Sequence, residues 1–154
     1  MELQKINSTN NKIAFGTNKT ALLNEMQHLY GVNYAYGHID SAMKKADYIG
    51  DFFQHQKTVP TLEKIGVNPK EVEIKPHFLA RMNHRIEEGR IQSLKWVVDT
   101  LNKGRIFKEK DFDGFIIKGN NNVVLTLSKK NGHSELTSIF SQKELNPRWS
   151  EVKS

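Results

Sequence analysis

The 154-residue chain contains no cysteine. That absence excludes disulfides, thiolate nucleophiles and Cys-ligated zinc, and it fits a reducing compartment. No run of about 18 or more apolar residues occurs, so no membrane span is expected and the chain reads as soluble and cytoplasmic. The opening MELQKINSTNNKIAF lacks a charged stretch followed by an apolar one, so no secretory signal is expected. Walker and dinucleotide glycine patterns are missing. So are HExxH, an Asp-rich calcium loop and a pair of acids near a histidine with the look of a metal triad. The expectation is a protein that needs neither cofactor nor metal.

What is present is an uneven excess of positive charge. Lysine and arginine number 23 against 17 acids. Residues 1–77 carry 9 basic and 8 acidic side chains, whereas residues 78–154 carry 14 and 9. A basic half suits phosphate-bearing partners or acidic protein surfaces.

Apolar spacing places helices in the first two thirds of the chain. After a loose lead-in over residues 1–16, Thr17 or Asn18 can cap a helix whose apolar face is Leu22, Leu23, Met26, Leu29 and Tyr30, with Gly31 ending it. A second helix is expected from Asp40 to Gln56, on the stripe Ile39, Ala42, Met43, Ala46, Ile49, Phe52 and Phe53. Short helical turns follow over Thr61–Ile65 and Pro69–Val72. Pro76 suits the first position of a helix over His77–Glu88, and a further helix is expected from Arg90 to Lys103, stopped by Gly104.

After Gly104 the apolar period changes from helical to alternating. Arg105–Lys108, Phe115–Lys118, Val123–Ser128 and Glu135–Ser141 read as strands. Asp113-Gly114, Gly119 to Asn122 and Asn131-Gly132 separate them as turns. The tail from Pro147 reads as mobile, with Trp149 able to dock. The expected fold class is α+β, N-terminal helices packed on a C-terminal four-stranded antiparallel meander. The expected organisation is a helical region over residues 1–75 and a core over 76–154.

The helix opened by Pro76 carries the most chemistry. His77, Arg81 and His84 are spaced by four and three residues and share one face, with Arg85 beside them. Phe78, Leu79, Met82 and Ile86 form the opposite, core-facing side. Imidazole moves protons near neutral pH, and guanidinium holds phosphate bidentately, so such a ridge suits phosphodiester chemistry. The plain alternative is a solvated helix face. The sheet offers Arg105, Lys118, Ser128, Lys129, Thr137 and Ser138 as binding or hydrogen-bonding groups. Which face each strand-four residue takes stays open, because Leu136 and Phe140 alternate with Thr137 and Ile139. Asp111 and Asp113 read as turn formers, and Glu87-Glu88 as a solvated helix end. His28, His38 and His55 read as structural, and His133 as an exposed turn residue.

A His-bearing helix, a second helix ending in Gly-Arg-Ile-Phe, and a four-stranded meander closing in Leu-Thr-Ser-Ile-Phe resemble the barnase/EndoU/colicin/RelE-like (BECR) nuclease superfamily, in its phage and polymorphic-toxin branches. The resemblance covers roughly His77 to Gln142. It implies a metal-independent endoribonuclease that cuts RNA, tRNA included, by 2′-hydroxyl attack to leave a 2′,3′-cyclic phosphate. His84 matches the helix histidine that acts as general base or acid. Ser138 resembles the late-strand hydroxyl, with Thr137 the alternative if the register differs by one. His77 stands in by position for the second histidine of EndoU members. Arg81, Arg85 and Lys118 would hold the phosphate. The expected partners are RNA and an immunity protein or antitoxin. Two alternatives stand beside this reading: a non-enzymatic RNA- or DNA-binding module, and a phage or mobile-element protein-interaction domain.

Overall fold

A computed structural model describes residues 18–153. The lead-in over residues 1–16 and the capping role of Thr17 lie outside them. Helix α1 (Lys19–Tyr30) begins where the Asn18 side chain accepts a hydrogen bond from the Ala21 N–H at 2.7 Å. Such a cap satisfies one of the orphan donors of the first turn and stabilises a helix by about 1 kcal/mol. Gly31, at φ 94°, both ends α1 and starts α2 (Val32–His55). The second helix therefore begins eight residues before the expected Asp40, because Ala35 extends its buried stripe of Ile39, Ala42, Ala46, Ile49 and Phe53 backwards. Helix α3 (Pro60–Lys64) and a single 3₁₀ turn (Pro69–Glu71) follow.

Pro76 occupies the first turn of α4 (Pro76–Glu87), where its missing N–H costs nothing. Helix α5 (Leu94–Lys103) starts later than the expected Arg90, since Gly89 at φ 81° and the extended Ser93 interrupt the chain between the two helices. The strands are β1 (Val72–Ile74), β2 (Arg105–Glu109), β3 (Gly114–Lys118), β4 (Val123–Lys130), β5 (His133–Ser141) and β6 (Trp149–Glu151). They form one sheet in the order β1-β5-β4-β3-β2-β6, antiparallel throughout except for the parallel pair β1-β5. The α+β class stands, and the expected meander is present as β2 to β5.

Two corrections concern its edges. The sheet has six strands rather than four, because the expected helical turn at Pro69–Val72 passes into β1 and the expected mobile tail pairs with β2 as β6. The Asn131-Gly132 turn between β4 and β5 has both residues at positive φ, 53° and 75°, as a tight two-residue hairpin requires.

One face of the sheet is covered by helices. Val72, Ile74, Ile117, Val123, Leu125, Leu127, Leu136 and Ile139 pack with Phe78, Leu79, Met82, Val97 and Leu101 of α4 and α5 in a single core. Helices α1 and α2 add their own apolar stripes to that core and pack on the outer side of α4. The other face carries a small apolar cluster of Phe107, Ile116 and Val124, flanked by Phe140 and Trp149. A register shift between Thr126 and Leu127 leaves Thr137 unpaired as a bulge in β5. Leu136 and Ile139 can then both face the helices although they are three residues apart, which resolves the ambiguous alternation of this strand. Among the described residues no helix is long and apolar enough to cross a membrane.

Candidate functional site

The polar face of α4 is turned toward α1 and α2, not toward the sheet. His77 Nδ1 lies 2.9 Å from Glu25 Oε2 of α1. The Arg81 guanidinium donates to the Tyr30 hydroxyl at 3.2 Å and sits 5.7 Å from that ring's centroid. His84 stacks on the Tyr30 ring with centroids 3.9 Å apart and planes 9° from parallel, and Tyr34 meets it edge-on at 5.4 Å. The ridge is thus a seam between helices, and only its rim is wet: the His84 side chain is 23% exposed.

His84 Nδ1 lies 3.2 Å from Glu88 Oε1, near enough for charge pairing, yet it is buried without an aligned hydrogen-bond partner. Three arginines lie near this imidazole along the chain: Arg81 shares its Tyr30 contact, Arg85 follows it in sequence, and Arg90 shares its Glu88 partner. Arg85 has no carboxylate at ion-pair distance among the described residues, and its pKa is lowered by burial and by the neighbouring Arg81. Arg81 is bonded to a phenol rather than an acid, and Arg90 reaches Glu88 only at 3.6 Å. Glu88 offsets part of this charge, pairing with His84 and Arg90 and acting favourably on Arg85; the repulsion between Arg85 and its neighbours Arg81 and Arg90 is what a shared anion would relieve.

A second network locks the seam from beneath. Tyr34 donates to Glu87 Oε1 at 2.7 Å, and the fully buried Asn83 donates to the Tyr34 oxygen at 3.1 Å. Lys45 then donates to Asn83 Oδ1 at 2.8 Å and to Ser41 at 2.6 Å. His38 Nδ1 straddles the two Glu87 oxygens at 2.8 and 2.9 Å while its ring stacks on Tyr34. Burial and the Glu87 carboxylate push the Tyr34 hydroxyl well above the usual phenol range. Burial alone would raise the Glu87 carboxyl, but hydrogen bonds from Tyr34 and His38 outweigh it and hold the group low. Glu87 sits at the exposed end of α4, as expected, and is in addition anchored there by Tyr34 and His38.

The strand residues lie elsewhere. Lys118, Arg105, Ser128, Thr137 and Ser138 share the helix-free face of the sheet, set there by alternation with the helix-facing Ile117, Leu125, Leu127, Leu136 and Ile139. Thr137 Oγ1 is 2.8 Å from Thr126 Oγ1, and Ser138 is the register partner of Thr126. Lys118 is 9% exposed, leans toward the Gly119 carbonyl at 3.4 Å, and has its pKa lowered by burial and then by Arg105. Arg105 is spent on a bidentate pair with Glu151, at 3.0 and 2.7 Å. Lys129 points to the helix side, where it donates to the Ile65 carbonyl at 3.1 Å. The structure brings His84, Arg81 and Arg85 together, and the expected cross-sheet meeting of His84 with Lys118 and Ser138 does not occur. His77 is two turns from His84, about 10 Å along the helix axis.

Two features escaped the sequence. The Tyr30 ring was legible only as an apolar stripe residue, and Tyr34 lay before the expected start of the second helix. The expectation of no acids grouped about a histidine is corrected by Glu73, His133 and Glu135, whose ligand atoms lie within 4.8 Å of one another. The His-x-Glu spacing in a strand was a signal, but Glu73 joins it only through the parallel pairing of β1. No family model, curated protein or solved structure matches this chain.

Proposed function

We propose that the protein engages an RNA-like phosphodiester at the seam between α1 and α4, with Arg81, Arg85 and Arg90 as the anion seat beside His84. The observation that carries this is Arg85: a part-buried guanidinium with no carboxylate at ion-pair distance among the described residues, near the guanidinium groups of Arg81 and Arg90. Guanidinium matches a phosphate fork, and Tyr30 and His84 offer flat rings against which a base can stack. The reading predicts affinity that falls steeply with salt.

A second reading adds cleavage. His84 has a carboxylate behind Nδ1 and guanidinium groups beside it, which is the equipment for passing a proton during 2′-hydroxyl attack while the phosphate charge is held. This keeps the metal-independent endoribonuclease proposal, with His84 as the acid–base group and Lys118, Thr137 and Ser138 outside the site. The separation of His77 leaves a single imidazole for the reaction, and that favours plain binding over turnover.

One experiment addresses both. Labelled tRNA and single-stranded RNA are incubated with the protein in EDTA at low and high salt, then run on native and denaturing gels. Retarded migration that is lost in Arg85→Ala supports the seat; unchanged retardation in that variant contradicts it. New fragments ending in cyclic phosphate, abolished in folded His84→Ala, support cleavage; intact RNA under retarding conditions rejects it.

A further inference from the structure

On the helix-free face of the sheet, away from His84, the parallel register of β1 and β5 sets Glu73 directly beside Glu135. His133 lies two residues before Glu135 on the same strand, so its side chain emerges on the same face. His133 Nε2 is 2.8 Å from Glu73 Oε1 and 2.9 Å from Glu135 Oε2. We propose that Glu73, His133 and Glu135 form a binding site for a divalent transition ion of the zinc type. The proposal is independent of the RNA reading.

Three arguments support it. The donor set is one imidazole nitrogen and two carboxylate oxygens, the hard-to-borderline mixture that zinc accepts. The spacing is also right. With metal–ligand bonds of about 2.0–2.2 Å in a tetrahedron, donor atoms stand roughly 3.4 Å apart. The two contacts to His133 are shorter by about half an ångström, and the two carboxylates stand within 4.8 Å of each other, so the ion requires only side-chain rotation on two hydrogen-bonded strands. Third, the site keeps an open side: the His133 side chain is 54% exposed, which leaves a coordination position for water.

Lys75 is the local competitor. Its ammonium stands 3.7 Å from Glu73 and 3.8 Å from Glu135, at the outer limit of ion pairing. On Glu73 it faces the oxygen turned away from His133, but on Glu135 it faces the same Oε2 that contacts His133, so an entering ion competes with Lys75 for that oxygen. Ion binding exchanges the proton shared between Nε2 and the carboxylates for the metal, and that proton leaves to solvent.

The test is calorimetric titration of the full chain with Zn²⁺ at neutral pH, for the native sequence and for His133→Ala and Glu135→Gln. The native protein should bind one ion, and each variant should lose affinity by at least about tenfold while keeping its circular dichroism. Absence of one-to-one binding by the native chain, or native affinity retained in both variants, overturns the site. The two variants remove an exposed ring and a carboxylate charge respectively, so a folding defect in one leaves the other to decide.

Discussion

The seam between α1 and α4 and the helix-free face of the sheet both carry cations, and they treat them differently. On the sheet, Arg105 is clamped by Glu151, Arg148 by Asp111 at 2.8 Å, and Lys118 is buried against a carbonyl. In the seam, Arg85 has no acid at ion-pair distance among the described residues and Arg81 bonds a phenol. Counting charge along the chain assigns the excess to the second half as a whole. Pairing distinguishes a cation that is already neutralised from one left for a ligand, and by that criterion the proposed anion seat lies on the helices.

The largest expected effect tests what joins the two regions. Phe78 is fully buried between α4 and the sheet. Phe78→Ala should lower unfolding free energy by about 3–5 kcal/mol, read by denaturant titration. A loss well under 1 kcal/mol would mean that the helical layer is not held through this core. Next is Asn83, wholly buried between Lys45 and Tyr34. Asn83→Ala removes one of the two acceptors of the part-buried Lys45 ammonium and the donor to the Tyr34 oxygen, so a loss of about 1–3 kcal/mol is expected from the same titration. An unchanged midpoint would remove the network from the account.

The comparison sharpens with a matched pair of arginines. Arg85→Ala should weaken binding of single-stranded RNA about tenfold and reduce the salt slope by about one, whereas Arg105→Ala should change it less than about twofold. Fluorescence anisotropy across a salt series reads both, and equal losses would erase the distinction between the regions. The smallest effect concerns pH. The Glu87 carboxyl has a folded pKa below its unfolded one, so its contribution is present above the unfolded value and fades as pH falls through the folded value. Glu87→Gln should therefore flatten the acid limb of stability against pH while leaving its alkaline limb in place. An acid limb identical to that of the native chain would contradict the network's role.

Much of the fold was legible because its causes are local. The Asn131-Gly132 hairpin, the Pro76 helix start and the stripe from Ile39 to Phe53 depend on neighbours within a few residues. What escaped depends on distant partners. Three residues, Val72–Ile74, are too few to signal a strand, and they become one by pairing with β5 some sixty positions later. Trp149–Glu151 likewise becomes a strand only against β2. The candidate site followed the same rule. The spacing of His77, Arg81 and His84 correctly places them on one face of a helix, but spacing is silent on what that face meets. Tyr30 and Tyr34, about fifty residues earlier, decide that it is a seam. The bulge at Thr137 could not be read from alternation either, because a bulge is the local failure of alternation.

The most direct test of the central claim maps an RNA oligonucleotide onto the isotope-labelled protein by nuclear magnetic resonance. The account predicts that the largest shifts fall on the Arg81 and Arg85 side-chain N–H signals, the His84 ring and the Tyr30 ring, with Arg105, Thr137 and Ser138 little moved. Shifts concentrated on those strand residues, with the α4 signals still, would contradict it.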